Sequence, residues 1–535
     1  MIKVNVGLTG ATGTLGKASI PILLGVDNIA LKLIIRPSKK NIRFARKLKK
    51  KYKNNITIMY GDITNKNDCS QFVHGCEYII HAAGVIPPAS DHYPTRTIKT
   101  NIVGTKNIID AILSDFDGDN IHLIYVSSLA VYGSRTKAHP WARVGDPVIP
   151  TPYDYYSYSK IVAERAVLDS NLKYYVSLRE AAVVYKDMLF KNLNDGLIFH
   201  TTYNGPLEWV TDYDTAILFK NIILKDASKM LAKDFWNKVY NIGSGIDGRK
   251  TGYEIINDGF AIMGRSAKDY FKPNYNISRN FHGVWFADSL VLNSYTDYLN
   301  KNYSYFWKKY AANHWYFKVG RIIPRRWISK LVIQRLFKDT NSPRYWLDHN
   351  IEGRIDCFFG SREEYESIGD DWAFYNLWCE EEGYDEERSG SKIELTSLGF
   401  DEYKKSSEIE LSDCIAAAEF RGGKCLSTKM EKGDIYKPLL WRCFQGHEFY
   451  ATPYAVLYAG HWCLDCFEEN RWQLDYIAAH VPFYGQVWYD SHTKAEINRV
   501  YPYIANEFPE INYEEKKKWL HHFFFSILQL KQYIP

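Results

Sequence analysis

Thr9-Gly10-Ala11-Thr12-Gly13-Thr14-Leu15-Gly16 follows an apolar run over residues 4–8 and precedes a segment, 17–24, that continues as a helix despite Pro21. Strand, glycine-rich loop and helix in that order make a clamp for a dinucleotide. Gly10 permits the tight turn, Gly13 the close approach of a pyrophosphate, and Gly16 close packing of helix on strand. The phosphates then meet unpaired N–H groups at the helix N-terminus. Thr9, Gly10, Thr12, Gly13, Thr14, Leu15 and Gly16 are therefore candidate cofactor contacts.

The next strand, 31–35, ends at Arg36, where a site for NAD usually places a carboxylate on the ribose 2'-hydroxyl. Arg36 with Lys39 and Lys40 suits a 2'-phosphate instead, because a guanidinium answers a dianion that a carboxylate repels. NADP(H) is expected over NAD(H), the bland alternative being a basic surface loop.

At 535 residues the chain exceeds one ordinary core, so two or more domains are expected. An apolar fraction of 46% and a charged fraction of 24% are globular values, and a net charge of +5 is too small to imply nucleic-acid binding. No run of eighteen apolar residues is free of charge, and Phe523-Phe524-Phe525 is too short to span a bilayer. Met1 leads almost directly into the first strand, leaving no room for a secretory leader, so a cytoplasmic protein is expected. Nine Cys, three of them clustered late, favour reduced thiols and metal over disulfides.

Further strand signals at 56–60, 78–81, 121–127 and 174–178 alternate with helix signals at 97–113 and 155–168. This rhythm is that of a parallel sheet covered on both faces. The fold expected is α/β: a Rossmann-like, doubly wound parallel sheet with a smaller substrate lobe over residues 1–300 and a C-terminal zinc-containing extension. Between them lie a basic aromatic helical bridge, 301–345, with eleven Lys or Arg and one acid, and a mixed acidic region, 346–420. The bridge suits either a lipid headgroup layer or packing onto a domain. A zinc-binding module over 421–472 and an aromatic packing extension over 473–535 complete the chain.

Tyr156-Ser157-Tyr158-Ser159-Lys160 puts Tyr156 and Lys160 on one helix face. A cation beside a phenol favours phenolate, so Tyr156 is the candidate acid/base. Ser128, in Val126-Ser127-Ser128-Leu129-Ala130-Val131-Tyr132-Gly133, is placed to hydrogen-bond the reacting oxygen, with Ser127 the adjacent alternative.

With these stretches the chain resembles the extended short-chain dehydrogenase/reductase superfamily, in its NAD(P)-dependent epimerase/dehydratase-like group. The other matching segments are Gly61-Asp62-Ile63-Thr64, His81-Ala82-Ala83-Gly84 and Thr100-Asn101-Ile102-Val103-Gly104-Thr105, and together they span about residues 1 to 250. The resemblance implies that Asp62 and Ile63 border the adenine, that Ala82, Ala83, Gly84 and Asn101 serve the cofactor site, and that Lys160 also holds nicotinamide-ribose hydroxyls. It further implies Ser128, Tyr156 and Lys160 as the catalytic set. Two departures stand out. Leu178-Arg179-Glu180 replaces the usual Leu-Arg-Pro, altering the pocket, and Leu129-Ala130 stands where sugar-nucleotide dehydratases carry Asp-Glu, which disfavours loss of water.

Trp441-Arg442-Cys443-Phe444-Gln445-Gly446-His447 and His461-Trp462-Cys463-Leu464-Asp465-Cys466 offer three thiolates and an imidazole, a set suited to tetrahedral zinc in a structural role. Cys443, His447, Cys463 and Cys466 are the candidate ligands, with Cys425 and His461 as substitutes. The stretch resembles treble-clef or zinc-ribbon modules, which brings nucleic acid in as a weaker partner class.

The function expected is an NADP-dependent oxidoreductase acting on a small or lipid-like carbonyl or secondary alcohol. The alternatives are an epimerase of a sugar-nucleotide-like substrate and a cofactor-sensing scaffold binding protein or nucleic acid through its zinc module. Peripheral membrane contact and a homodimer are admitted; a transmembrane segment is not.

Overall fold

The computed structural model describes residues 3–469 and 472–501. Tyr503, Phe523-Phe524-Phe525 and the remainder of the expected extension, residues 502–535, lie outside the described residues. Seven parallel strands form the central sheet: β1 Val4–Thr9, β2 Ile29–Ile35, β3 Ile56–Tyr60, β4 Tyr78–His81, β5 His122–Val126, β6 Tyr174–Glu180 and β7 Lys238–Ile242. Their order is β3-β2-β1-β4-β5-β6-β7. The register runs Leu8↔Leu33 between β1 and β2, Leu8↔Ile80 between β1 and β4, and Val126↔Leu178 between β5 and β6.

The strands are near-continuous apolar runs because both faces are covered. Helix α1 (Thr14–Leu23) packs with α6 (Asp212–Ala227), while α3 (Lys66–Val73) and α5 (Tyr155–Leu168) each pack on α4 (Gly104–Leu113); α2 (Lys39–Tyr52) leads from β2 to β3. Strand order reverses between β1 and β4, the switch point at which the carboxyl ends of an open α/β sheet leave a crevice for ligand. The helix expected over 97–113 is instead three pieces: Pro94–Ile98, a π-helical turn Lys99–Val103, and α4. The wide turn contains Asn101, whose amide bonds both the N–H and the C=O of Val85.

Beyond β6 the chain returns to the parallel sheet once, through α6 and β7, and otherwise leaves it. A small sheet of Ala182–Val184, Pro206–Thr211 and Arg249–Thr251 builds a second lobe with the helix Gly252–Ala261. Residues 303–338 are helical turns laid along that lobe.

The C-terminal region has an antiparallel sheet of Lys424–Cys425, Leu439–Arg442 and Glu448–Ala451. Its buried Trp441, Trp462 and Trp472 belong to the same continuous core as β1 to β7. Arg165 on α5 donates to the carbonyls of Trp462 and Tyr450, and the Tyr454 hydroxyl accepts from Val239 N on the edge strand β7. The module thus covers α5 and the β7 edge, supplying apolar contact that a region of its size cannot build by itself. Trp472 and Tyr501 pack around Tyr153 and Tyr155 at the start of α5.

Candidate functional site

The loop after β1 leaves no room for a side chain at Gly10 or Gly16. Gly10 has φ +72°, and a Cβ there would stand 2.5 Å from the carbonyl oxygen of Ala82; one on Gly16 would stand 2.4 Å from that of Gly10. Gly13 is less constrained, a Cβ meeting only the Gly10 oxygen at 3.2 Å. Helix α1 has no side-chain cap and no acid in its first turn, so its N–H groups face the crevice without a protein anion.

Thr9 serves as a fastener. Its hydroxyl accepts from Ala83 N at 3.0 Å and lies 2.8 Å from His81 Nδ1, while His81 Nε2 lies 3.0 Å from Thr105 Oγ1. Burial pushes His81 down to about 3, so the ring is neutral and relays hydrogen bonds from β1 through β4 to α4. Asn101 likewise ties Val85 to Ser159 on α5, and a Cβ on Gly84 would lie 3.9 Å from Lys160 Nζ. Of the residues expected at the adenine, Asp62 is half-buried and bonds its own turn through Thr64, whereas Ile63 is a core residue packed on Gly104. Asp62 and Arg36 share a depression of about 350 Å³ with Arg96 and Lys99. Lys39 and Lys40 do not line it; they are exposed in the first turn of α2.

The expected catalytic residues converge at the carboxyl edge. Ser128 follows β5, caps the short turn Leu129–Tyr132 by accepting from Ala130 N, and is near enough to the Tyr156 phenol to draw its pKa down. Ser157 anchors α5 to that turn by donating to the carbonyl of Ala130. The alternative, Ser127, has a buried hydroxyl with no partner. Lys160 Nζ donates to Val126 O at 2.6 Å and lies 5.9 Å from the Tyr156 ring centre.

Burial, rather than the ammonium, dominates the phenol: it holds Tyr156 well above its ordinary range, with the Ser128 hydroxyl pulling the other way. Lys160 is pushed down to about 8 by burial, against the pull of Glu180 and Glu164. Glu180, the residue in place of the usual proline, ends β6 with its carboxylate 2.7 Å from the Thr215 hydroxyl; burial lifts it to about 7. Asp212 beside it is lifted to about 6, again by burial.

Three contacts at this site have no local sequence signal. Asp154 caps α5 through Ser157 N and holds His282 Nδ1 at 2.5 Å, and the His282 ring sits 6.3 Å from that of Tyr156. Glu164, two helical turns after Tyr156, forms a wholly buried pair with Arg179, whose Nη1 donates to the Tyr132 hydroxyl. The third, His461, meets the same carboxylate at 2.9 Å.

The late Cys/His set closes on itself. His447 Nδ1 lies 3.4 Å from Cys443 Sγ and 3.6 Å from both Cys463 Sγ and Cys466 Sγ, and the sulfurs of Cys466 and Cys443 are 3.5 Å apart. A tetrahedral zinc at about 2.3 Å from sulfur and about 2.0–2.1 Å from nitrogen needs edges of roughly 3.6–3.8 Å, so the four donors fit the ion. Glu469 holds His447 Nε2 at 2.8 Å, the outer partner that orients a ligating imidazole. The substitutes are excluded from the cluster: His461 is turned to Glu164, and Cys425 is not among its donors.

Residues 6–184 match the NAD dependent epimerase/dehydratase family. Among curated proteins, the chain is 33% identical over 121 residues to 3 beta-hydroxysteroid dehydrogenase type 7 of Rattus norvegicus, covering 22% of this chain and 34% of the relative. It is 29% identical over 115 residues to UDP-glucose 4-epimerase of Rickettsia massiliae, covering 20% of this chain and 32% of the relative. The chain thus spans about a third of the length of the curated relatives it matches. Among solved structures, dTDP-glucose 4,6-dehydratase from Bacillus anthracis in complex with NAD aligns with 59% of this chain and 97% of its own, at a TM-score of 0.45 and 17% identity.

The expectation of NADP(H) is overturned: the family that residues 6–184 match is NAD dependent. The misleading charge has a physical origin. Lys39 and Lys40 begin a helix that also carries Arg43, Arg46, Lys47 and Lys49 to Lys51, and they belong to its solvated face, so that of the three expected cations only Arg36 lines the depression with Asp62. The chain carries an extended short-chain dehydrogenase/reductase fold of the NAD-dependent epimerase/dehydratase kind, joined to a distinct C-terminal module that bears a Cys₃His cluster.

Proposed function

We propose that the protein is an NAD-dependent oxidoreductase of the epimerase type, acting on a secondary alcohol of a sugar-nucleotide-like substrate. The observation that carries this reading is the convergence of Ser128, Tyr156 and Lys160 at the carboxyl edge beside the Gly10–Gly16 loop. NAD, when bound, supplies the hydride acceptor and donor at its nicotinamide. Gly10, Gly13, Gly16 and the α1 N-terminus would hold its pyrophosphate, and Asp62 and Arg36 would serve its adenosine end.

Tyr156 would take the proton from the substrate hydroxyl and return it to the same oxygen in the reverse half. Ser128 donates to the same oxygen, favouring the carbonyl-like state. Lys160 supplies the positive charge that stabilises the phenolate, and Val126 O fixes its ammonium. An epimerase must keep the oxidised substrate and present its other face. The UDP-glucose 4-epimerase relatives and the absence of the Asp-Glu pair at Leu129-Ala130 support that outcome over loss of water.

A second reading, simple oxidation of a hydroxysteroid, is favoured by the 3 beta-hydroxysteroid dehydrogenase relatives. Incubation with NAD and either UDP-glucose or a 3β-hydroxysteroid separates the two. Formation of the 4-epimer without net NADH supports the first; net NADH with the steroid alone replaces it with the second. We further propose that Cys443, His447, Cys463 and Cys466 hold a structural zinc, since four protein ligands leave no open position for chemistry.

A further inference from the structure

Residues 301–338 contain ten Lys or Arg and no Asp or Glu. The segment folds as the helix Tyr303–Asn313, the 3₁₀ stretch Trp315–Arg321, and short turns ending at Lys338. One side is anchored to the second lobe: Tyr303 and Tyr310 are buried, the Tyr303 hydroxyl donates to Asp258, and Arg325 pairs with Asp269 at 2.9 Å. Exposed along the rest of the segment are Trp315, Val319, Ile322, Ile323, Trp327 and Leu331, with Trp315 68%, Ile322 82% and Trp327 57% exposed. Exposed Lys308, Lys309, Lys318, Arg321, Arg326 and Lys330 are interleaved with them.

The acidic stretch that follows does not neutralise this face. Its ion pairs lead elsewhere: Asp370 to Lys272, Glu380 to Lys268, Glu381 to Lys137, Glu352 to Arg362 and Asp385 to Arg388. A surface that shows large apolar side chains and uncancelled positive charge together is built for a partner that is apolar within and anionic at its edge.

We propose that the face formed by residues 315–331 rests on an anionic lipid surface. Trp315 and Trp327 sit at headgroup level, Ile322, Ile323 and Leu331 reach the acyl boundary, and the cations meet lipid phosphates and carboxylates. The contact is peripheral, since no helix among the described residues is long and apolar enough to cross a membrane. Two other occupants fit less well. A second copy would bring two strongly positive faces together. A nucleic acid would use the indoles for stacking but leave the aliphatic side chains Val319, Ile322, Ile323 and Leu331 without a matching surface.

The test is co-sedimentation of the full chain with vesicles of phosphatidylcholine alone and of phosphatidylcholine mixed with phosphatidylserine. Binding is expected to the mixed vesicles only, and to weaken as salt is raised. Lys318→Glu with Arg326→Glu, both exposed, should weaken it at least 25-fold, about fivefold for each positive charge lost. Ile322→Ser with Trp327→Ser should abolish it while the melting temperature stays at the wild-type value. If that apolar variant melts early, the charge pair alone decides. Equal binding to both vesicle types, no binding to either, or unchanged binding in the charge variant overturns the proposal. So does dimerisation in free solution that Ile322→Ser removes, or a single-stranded oligonucleotide that binds the apolar variant and the wild type equally and displaces the vesicles.

Discussion

His461 Nε2 lies 2.9 Å from Glu164 Oε1 with both side chains wholly buried, so the loop entering the Cys463-x-x-Cys466 pair is held directly by the helix that carries Tyr156 and Lys160. Arg179 completes the arrangement: its Nη2 and Nε reach Glu164 at 2.6 and 3.0 Å, and its Nη2 also donates to Ala459 O. Burial pushes His461 down to about 4, so it is neutral near pH 7 and donates its Nε2–H to a carboxylate kept ionised chiefly by Arg179. The Cys/His module is therefore tied by buried polar contacts to the helix that carries Tyr156 and Lys160.

Removing Glu164 leaves a guanidinium buried without a counter-charge. Glu164→Ala is expected to destabilise the chain by about 3–5 kcal/mol, measured by urea unfolding. His461→Ala, which removes one hydrogen bond to that carboxylate, should cost about 1–3 kcal/mol. A loss below about 1 kcal/mol for Glu164→Ala would mean that Arg179 finds other compensation and that the coupling is weak.

Metal content tests the module. Elemental analysis should find about one zinc per chain, and Cys463→Ser with Cys466→Ser should remove it. Because ligand closure contributes folding energy, a chelator should lower the melting temperature of the wild type and leave that of the variant unchanged. Retained zinc in the double variant would assign the ion to other ligands.

Tyr156→Phe keeps the ring and deletes the proton. Turnover with NAD should fall by about 10²–10⁴-fold with NAD affinity unchanged, and Ser128→Ala by about 10²–10³-fold. A Tyr156→Phe enzyme with full activity would reject the phenol as acid/base. Gly10→Ala should instead abolish NAD binding, because its Cβ would collide with the Ala82 carbonyl at 2.5 Å and φ is +72°.

Glu180 gives a pH signature of known sign. Its carboxyl is raised from 4.5 to about 7 by burial, so the folded chain holds this proton more tightly than the unfolded chain does. The associated stability is fully present below about pH 4.5 and is lost as pH rises through about 7. Glu180→Gln should flatten that part of the thermal-stability profile. Glu180 also raises the Lys160 ammonium, which stands at about 8. The variant's alkaline limb of kcat/KM should therefore move to lower pH. An unmoved limb would show that Lys160 does not feel Glu180.

Much of the site was legible because its chemistry is local. The glycine spacing demands one turn and one helix start, Tyr156 and Lys160 share a face by helical geometry, and Cys443 to His447 and Cys463 to Cys466 are short chelating pairs whose geometry depends mostly on their own turns. Strands β3 and β4 and helix α5 were readable to the residue for the same reason. Basic residues after β2 misled, because sequence shows charge but not the side of the helix to which it turns.

The amino-acid sequence by itself determined the glycine-loop turn, the shared helix face of Tyr156 and Lys160 and the short pairs Cys443 to His447 and Cys463 to Cys466, since each rests on contacts among near neighbours in the chain. Only the tertiary structure decided that His461 serves Glu164 across 297 residues rather than the metal cluster, that His282 joins Asp154 beside Tyr156, and that Trp441 and Trp462 share the core of the sheet. Those pairings are chosen by burial: a charge or indole withdrawn from water must find its partner wherever packing brings one, and distance along the chain places no limit on which residue that is.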